Sequence, residues 1–186
     1  MGTIEQLKSI IGKRQGLAKS NRFKIFMSPP ESVTSSVSVN ETRDIELMCE
    51  SCSLPGRQIT TLDYSLIRQQ LKIPNGYLNQ DITFVFHLTN DYFMKRLFDQ
   101  WSSLIIDQNT YKLNYKNDYQ RDITIYQIDE NNNNVYGVVL KNAFPITVES
   151  IDLNNTSENT TQKVSVTFTY EDFEQERNSS LLSNAT

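Results

Sequence analysis

The strongest constraint in the sequence is a strict alternation of apolar and polar side chains over residues 164–170. The apolar positions are Val164, Val166, Phe168 and Tyr170, and Ser165, Thr167 and Thr169 stand between them. A period of two places successive side chains on opposite faces of a β-strand, so this segment predicts a strand with one buried face. Residues 81–89 repeat the pattern, with Ile82, Phe84, Phe86 and Leu88 on the apolar face. Such strands are typical of antiparallel sheets.

Further strands are predicted at residues 22–28, 45–54, 123–128, 135–140 and 146–153. A run of acidic and Asn residues, 129–134, separates two of them and predicts the loop of a β-hairpin. Within the last strand the apolar side changes at Glu149 and Ser150, which indicates a β-bulge. Residues 31–43 are rich in Ser, Thr and Val without a clear period, and we expect an exposed loop there.

A long β-hairpin is predicted over residues 58–79. Leu62, Tyr64 and Leu66 alternate with polar residues, and the return arm starts near Leu71. The tip is polar and lacks the usual Gly or Asn turn signal. A hairpin of this kind often reaches beyond its own domain, which makes these residues candidates for contacts between subunits: Leu62, Tyr64, Leu66, Ile67, Leu71 and Ile73. Two ordinary strands of the main sheet are the alternative.

The sequence predicts one long helix, over residues 91–106, with Thr89 or Asn90 as its N-cap. Its apolar stripe consists of Phe93, Leu97, Trp101 and Leu104 or Ile105. Spacings of three and four place these side chains on one face, which is typical of a helix packed on a core. A shorter amphipathic helix is expected within residues 3–17, in an N-terminal arm.

These elements predict an α+β fold that is mainly β: an antiparallel β-sandwich or barrel with one flanking helix and a long hairpin. We expect three regions: an N-terminal arm over residues 1–20, a single domain over 21–174, and a flexible polar tail over 175–186.

Composition argues against several classes of function. The net charge is −4 and no run of Lys or Arg is present, so ordinary nucleic-acid binding is not expected. No apolar stretch is long enough to span a membrane and no signal peptide is recognisable, so we expect synthesis in the cytosol. His87 is the single histidine, and the chain lacks phosphate-binding and metal-binding motifs. We therefore expect no catalytic residue, metal or cofactor.

Cys49 and Cys52 form a Cys-x-x-Cys pair. A zinc site would need a second pair of ligands, and a redox motif would open a helix, whereas this segment leads into Pro55 and Gly56. We expect two ordinary reduced cysteines, one of them in the core.

Five segments in order resemble the tail tube proteins of contractile-tailed bacteriophages and the related baseplate proteins that initiate the tube. They are Asn21-Arg22-Phe23, the segment 49–57 ending in Leu54-Pro55-Gly56-Arg57, Asn90-Asp91 with Phe98-Asp99-Gln100-Trp101, Ala143-Phe144-Pro145-Ile146 with Ile151-Asp152-Leu153, and the strand 164–170. The resemblance covers about residues 15–174. One departure is Asn154, where tube proteins often carry an aromatic residue.

The resemblance implies a structural subunit of a phage virion without enzymatic activity. Its expected partners are copies of itself, in hexameric rings that stack into a tube, with a sheath outside and baseplate and tube-terminator proteins at the ends. Phage DNA would pass through the lumen without specific binding, and no membrane would be involved. A baseplate tube initiator or the tube of a related contractile injection system remains the alternative. A small β-rich hydrolase or binding domain is a remote one.

Overall fold

A computed structural model of the chain describes residues 3–14, 16–34, 39–66, 69–154 and 161–176. The helices in this part of the chain are α1 (Ile4–Lys13), α2 (Glu31–Thr34), α3 (Val39–Met48), α4 (Phe93–Ile105) and α5 (Lys116–Tyr119). The strands are β1 (Phe23–Met27), β2 (Cys49–Cys52), β3 (Arg57–Leu66), β4 (Gln69–Asn79), β5 (Ile82–His87), β6 (Arg121–Ile128), β7 (Asn134–Val148), β8 (Lys163–Thr169) and β9 (Asp172–Glu176). None of the described helices is long and apolar enough to cross a membrane.

Strand β7 is the central connection of the main sheet, because it pairs with three other strands. Its first part pairs with β6 on one side and with β9 on the other, and its last part, Phe144 to Val148, pairs with β8. The strand order is β1-β6-β7-β8-β5-β2, with β9 beside β7, and all pairs are antiparallel. The predicted fold class, mainly β with an antiparallel sheet and a flanking helix, is confirmed.

The core forms where α4 packs on the apolar faces of β5 and β8. The ring centre of Phe98 lies 5.1 Å from the ring centre of Phe86 and 6.0 Å from that of Phe168. Trp101 packs edge-on against Phe168, and its Nε1 donates a hydrogen bond to the carbonyl oxygen of Tyr119 at 2.9 Å. The indole is fully buried, so this bond satisfies the polar atom that burial would otherwise leave without a partner.

The start of α4 differs from the predicted cap. The N-cap position is Tyr92, whose φ of 54° lies in the left-handed region, and helical residues begin at Phe93. Asp91 Oδ1 accepts a hydrogen bond from the backbone N–H of Phe93 at 3.4 Å. The predicted N-cap, Thr89 or Asn90, is therefore wrong: the side chain that reaches the first free N–H of the helix is that of Asp91.

The described part of the segment between β1 and β2 contains two helices, so two predictions fail there. The expected loop contains α2 and the start of α3, although residues 35–38 lie outside the described residues. The expected strand at 45–54 is helical to Met48, and only residues 49–52 form β2. In α3, Ile45 is buried and Leu47 is exposed, whereas a strand would place both on the same face.

Two further boundaries were misplaced. The strand predicted at 146–153 is the end of β7, which stops at Val148, and the register shift lies between Pro145 and Thr147. Pro145 has no N–H to donate, so the ladder is interrupted there and not at residues 149–150. Gln175 and Glu176, expected in the tail, belong to β9, and residues 177–186 lie outside the described residues.

The burial of α3 can be tested with two substitutions in the same helix. Replacing buried Ile45 with Ala should lower the free energy of unfolding by about 2–4 kcal/mol, because it removes core volume. Replacing Leu47 with Ala, at a position that is 70% exposed, should change it by less than about 0.5 kcal/mol. Urea unfolding of the monomer measures both, and equal losses would contradict the described packing of α3.

Candidate assembly surface

The predicted hairpin is present as a two-stranded sheet of its own. Strands β3 and β4 pair from Arg57 opposite Asn79 out to Leu66 opposite Gln69. Ten residues at roughly 3.4 Å each make it about 34 Å long. No described hairpin residue belongs to the core cluster of the main body. The hairpin is therefore an addition to a body whose core is formed without it.

The outer half of the hairpin has one apolar face. Residues directly opposite each other in an antiparallel pair share a face, so Leu62 lies beside Ile73 and Tyr64 beside Leu71. These four side chains, here called the apolar hairpin face, are 46–59% exposed. Of the other predicted contact residues, Leu66 lies in β3 opposite Gln69, and Ile67 lies outside the described residues.

The opposite face of the same half is polar. Asp63 lies opposite Lys72, Ser65 lies opposite Gln70, and Thr61 lies opposite Pro74. In β3, the alternation of apolar and polar residues sets the two faces. The apolar residues of β4 lie on the same face only because Asn75 is an extra, unpaired residue between Pro74 and Gly76. This bulge shifts the register by one position and so aligns the apolar residues of the two strands.

A cation between two aromatic rings holds the base of the hairpin on the body. The guanidinium carbon of Arg57 lies 4.4 Å from the ring centre of Tyr77 and 4.5 Å from that of Phe173. Arg57 also forms an ion pair with Asp172. We call these four residues the Arg57 cluster. Tyr77 belongs to the hairpin, whereas Asp172 and Phe173 belong to β9, so the cluster connects the two. A cation over an aromatic face contributes about 0.5–2 kcal/mol, depending on exposure.

Hydrogen bonds to the segment before β9 and at the hairpin ends support this base. Asn79 Nδ2 donates to the carbonyl oxygen of Glu171 at 3.0 Å, and Gln80 N–H donates to that of Gly56 at 3.2 Å. The side chain of Glu171 is itself held by Asn142 at 2.7 Å and by Lys116 at 3.2 Å, and these bonds lower its pKa. The polar contacts thus concentrate at the end of the hairpin nearest the body.

The N-terminal helix α1 exposes a second apolar stripe. Ile4, Leu7 and Ile10 are all more than half exposed, and no residue of α1 is buried. Its first turn is closed by a hydrogen bond from the Thr3 N–H to Gln6 Oε1 at 3.1 Å. An amphipathic helix gains most of its stability from packing of its apolar face, so this stripe is a second candidate contact surface.

The residues singled out in the predicted core helix lie in α4. Leu97 and Trp101 are buried, and Phe93 is partly buried against the same core. His87, at the end of β5, is partly buried and lies opposite Lys163 in β8. Lys163 forms an ion pair with Glu50 at 2.6 Å, and their hydrogen bond lowers the pKa of Glu50.

The described residues hold no cluster suited to metal chemistry. No group of three or more His, Cys, Asp or Glu side chains among them could bind a metal ion. Cys49 and Cys52 are both free thiols and both partly buried against the core. The sequence predicted only one of them there, because residues three apart in a regular strand face opposite sides. The register shift between Cys49 and Ser51 removes that alternation.

The Arg57 cluster was missed in the sequence. In the sequence Arg57 ends the segment Leu54-Pro55-Gly56-Arg57, and Asp172 and Phe173 lie 115 or more residues further on. A basic residue directly after a Pro-Gly turn was the one available signal. It marks a charged position at a strand start but does not identify the partner.

Comparisons with known proteins agree on one family and one fold. The family model described as phage tail tube protein matches residues 18–176. A chain of the PVC sheath–tube complex, an extracellular contractile injection system in the extended state, aligns with a TM-score of 0.60 and 18% identity over 95% of this chain and 99% of that chain. No curated protein matches the chain by sequence.

Two chains from the anti-feeding prophage share the fold equally well. One, from its tube-terminating cap, has a TM-score of 0.62 and 15% identity over 87% of this chain and 92% of its own length. The other, from its 6-fold symmetrised baseplate, has a TM-score of 0.61 and 11% identity over 86% of this chain and 95% of its own. At these identities the likeness establishes the fold.

The two partly buried thiols give a chemical test of β2. Burial raises the pKa of Cys49 to about 12 and that of Cys52 to about 11, from 9.0. A rise of two units lowers the thiolate fraction at pH 8 about 100-fold. The folded protein should therefore react with a thiol-specific disulfide reagent at least about 100-fold more slowly than the urea-unfolded protein. Similar rates in the two states would contradict the packing of β2.

The same pKa values predict how stability depends on pH. Both thiols have a higher pKa in the folded state than the 9.0 of an exposed thiol. The contribution of the neutral thiols to the free energy of unfolding is therefore complete below pH 9, and it is lost as the pH rises through about 11 and about 12. Urea unfolding between pH 8 and pH 12 should show this loss, and it should be smaller in a Cys49→Ala variant.

Proposed function

Because this chain belongs to the phage tail tube protein family, we propose that it is a structural subunit of the inner tube of a contractile phage tail. The family is structural, which confirms the expectation that the chain is not an enzyme. In this proposal six copies form a ring and the rings stack into a hollow tube. The sheath surrounds the tube, baseplate and terminator proteins bind its ends, and phage DNA leaves the virion through the channel.

The observation that carries this proposal is the uncovered apolar hairpin face. A two-stranded hairpin is marginally stable alone in water, and this one stands beside a body with a complete core. The four apolar side chains of its outer half need a surface to cover them. A neighbouring copy supplies such a surface at the same place on every subunit, which is the condition for a closed ring.

The size of this face indicates that it does not act alone. Full burial of a large apolar side chain contributes about 1.5–3 kcal/mol, so covering four that are already half buried contributes roughly 3–6 kcal/mol. An affinity near 1 μM corresponds to about 8 kcal/mol. Further contacts are therefore needed. Two kinds are available: hydrogen bonding between exposed strand edges of neighbouring copies, and burial of the apolar stripe of α1.

The polar hairpin face then faces the channel. When the apolar side of the hairpin is covered by a neighbour, Asp63, Ser65 and Lys72 on the other side keep their contact with water. One acidic and one basic residue lie opposite each other, and the whole chain carries a net charge of −4. A wall without excess positive charge does not retain DNA by phosphate neutralisation, so DNA can move past it.

Related assemblies support the sixfold, contractile context. The fold occurs in the sheath–tube complex of a contractile injection system and in the 6-fold symmetrised baseplate of the anti-feeding prophage. The TM-scores to chains of the sheath–tube complex, the cap and the baseplate lie between 0.60 and 0.62 and so do not separate the tube shaft from its ends. A tube-initiator protein, which forms a single ring, is therefore the second candidate. A tube of a contractile injection system is the third.

Assembly can be tested by changing one face of the hairpin at a time. Replacing Leu62, Tyr64 and Leu66 with Asp should abolish rings and tubes in negative-stain electron microscopy, because it puts charges where apolar contact is needed. The monomer should remain folded, with an unchanged circular dichroism spectrum and unfolding midpoint.

The control places two negative charges on the polar side of the same strand, against three on the apolar side in the test variant. Thr61→Asp and Ser65→Asp together should leave ring formation intact. If the apolar-face variant unfolds as a monomer, the hairpin belongs to the core of its own subunit. If wild-type protein at high concentration never forms rings, the proposed function is wrong. Counting copies per purified particle separates a tube subunit from an initiator.

A further inference from the structure

We infer that Arg57 is the positioning residue for assembly: it sets the angle at which the hairpin leaves the body, and β9 is the surface that holds it. This inference rests on the proposed function, in which the hairpin must meet a neighbouring subunit at a defined place. It assigns a role in assembly to a residue and a strand that lie away from the apolar hairpin face.

The geometry of the cluster connects three strands through one side chain. Arg57 is the first residue of β3, Tyr77 lies near the end of β4, and Phe173 lies in β9. The guanidinium between the two rings therefore fixes both hairpin strands to β9 at once. Phe173 is in turn packed edge-on against Tyr170, which is 93% buried, at 6.2 Å. The body side of the cluster is thus anchored to the core.

A planar cation suits these contacts better than a compact one. Guanidinium can stack on two rings and still present N–H groups in its plane to Asp172 and, at 3.4 Å from Nε, to Asn79 Oδ1. An ammonium group is compact and cannot lie flat between two rings. A Lys at position 57 would keep the ion pair with Asp172 but lose most of the contact that orients the hairpin. An Arg57→Lys variant therefore distinguishes a positioning role from a role of charge alone.

The length of the hairpin makes the angle at its base important. Over about 34 Å, a rotation of about 10° at the base moves the tip by about 6 Å, which exceeds the strand spacing of about 4.8 Å. Such an error would place the apolar hairpin face a whole strand away from its target. Gly56, which precedes β3, and Gln80, which follows β4, are joined by one backbone hydrogen bond, which closes the hairpin without holding it on the body. The hydrogen bond from Asn79 Nδ2 to the carbonyl oxygen of Glu171 restrains the β4 end, and the Arg57 cluster restrains both strands.

The orientation of the hairpin can be measured in the monomer, independently of assembly. Spin labels on Ser65→Cys, near the tip, and Asn117→Cys, in α5 on the body, report the distance between them. Cys49→Ala and Cys52→Ala remove the native thiols. We compare the background protein with Arg57→Ala and Arg57→Lys, and with Arg96→Ala as the control. Arg96 makes a surface ion pair with Asp91 at 3.9 Å, and the cation–π contacts among the described residues are those of Arg57.

The expected result is a narrow distance distribution in the background protein and in Arg96→Ala, a broad one in Arg57→Ala, and an intermediate one in Arg57→Lys. The concentration needed for ring formation should rise about tenfold or more in Arg57→Ala, partly recover in Arg57→Lys, and stay unchanged in Arg96→Ala. Unfolding midpoints of the monomers check that each variant is folded.

The two readouts separate the possible failures. If the distance distribution in Arg57→Ala matches that of the background protein, the inference about Arg57 is overturned whatever the rings do. If Arg57→Lys behaves like wild type in both measurements, the role is charge and not orientation. If the distributions change as expected but wild-type protein never forms rings, the role of Arg57 in fixing the hairpin stands and the proposed function fails.

Discussion

The organisation of this molecule depends on the hydrogen bonding of β7. This one strand of 15 residues pairs with β6, β9 and β8, so it carries both parts of the main sheet. The core packs on the strands that β7 aligns, and α4 covers them with Phe98 and Trp101. β9 is held through the same strand, and the hairpin is held through β9. A change in the pairing of β7 would therefore disturb both the core and the assembly surface.

The structure separates the residues that fold the monomer from those available for contact. The core cluster is drawn from the main body and contains no described hairpin or α1 residue. The hairpin and α1 instead keep large apolar side chains exposed, for example Leu62 and Ile4. Single exposed apolar residues are common on protein surfaces, but an ordered face of them on a projecting element is typical of an interaction site. This division allows a subunit to be stable before it assembles.

Much of the fold follows from local periodicity, and the parts that were missed depend on distant contacts. The strands β5 and β8 and the helix α4 were predicted because alternation and helical spacing are visible within each segment. The neighbours of Ile45 fit either the strand or the helix period, and packing against the body selects the helix. β9 is polar in composition and forms because it pairs with the outer edge of β7. Local sequence carries no signal for that edge.

For the assembly surface too, the sequence predicts what lies within one segment and misses what depends on distant contacts. The alternation of Leu62 and Tyr64 indicated an apolar face on β3, whereas the alignment of Leu71 and Ile73 with it depends on the bulge at Asn75. The Arg57 cluster joins residues more than a hundred positions apart, so no pattern within either segment could identify it. Its chemistry, a cation between two rings, is nevertheless specific once the strands are in place.

The position of this cluster has a consequence for how the hairpin can work. Polar and cation–π contacts hold its base, while its outer half carries an apolar face with no cover from the described part of its own chain. A hairpin fixed at both ends would be part of the body, and one fixed at neither would lose much entropy on binding. With only its base fixed, the hairpin keeps its direction and leaves its apolar face free for another molecule. Its direction is thus determined within the subunit, and its apolar face is left to be covered on assembly.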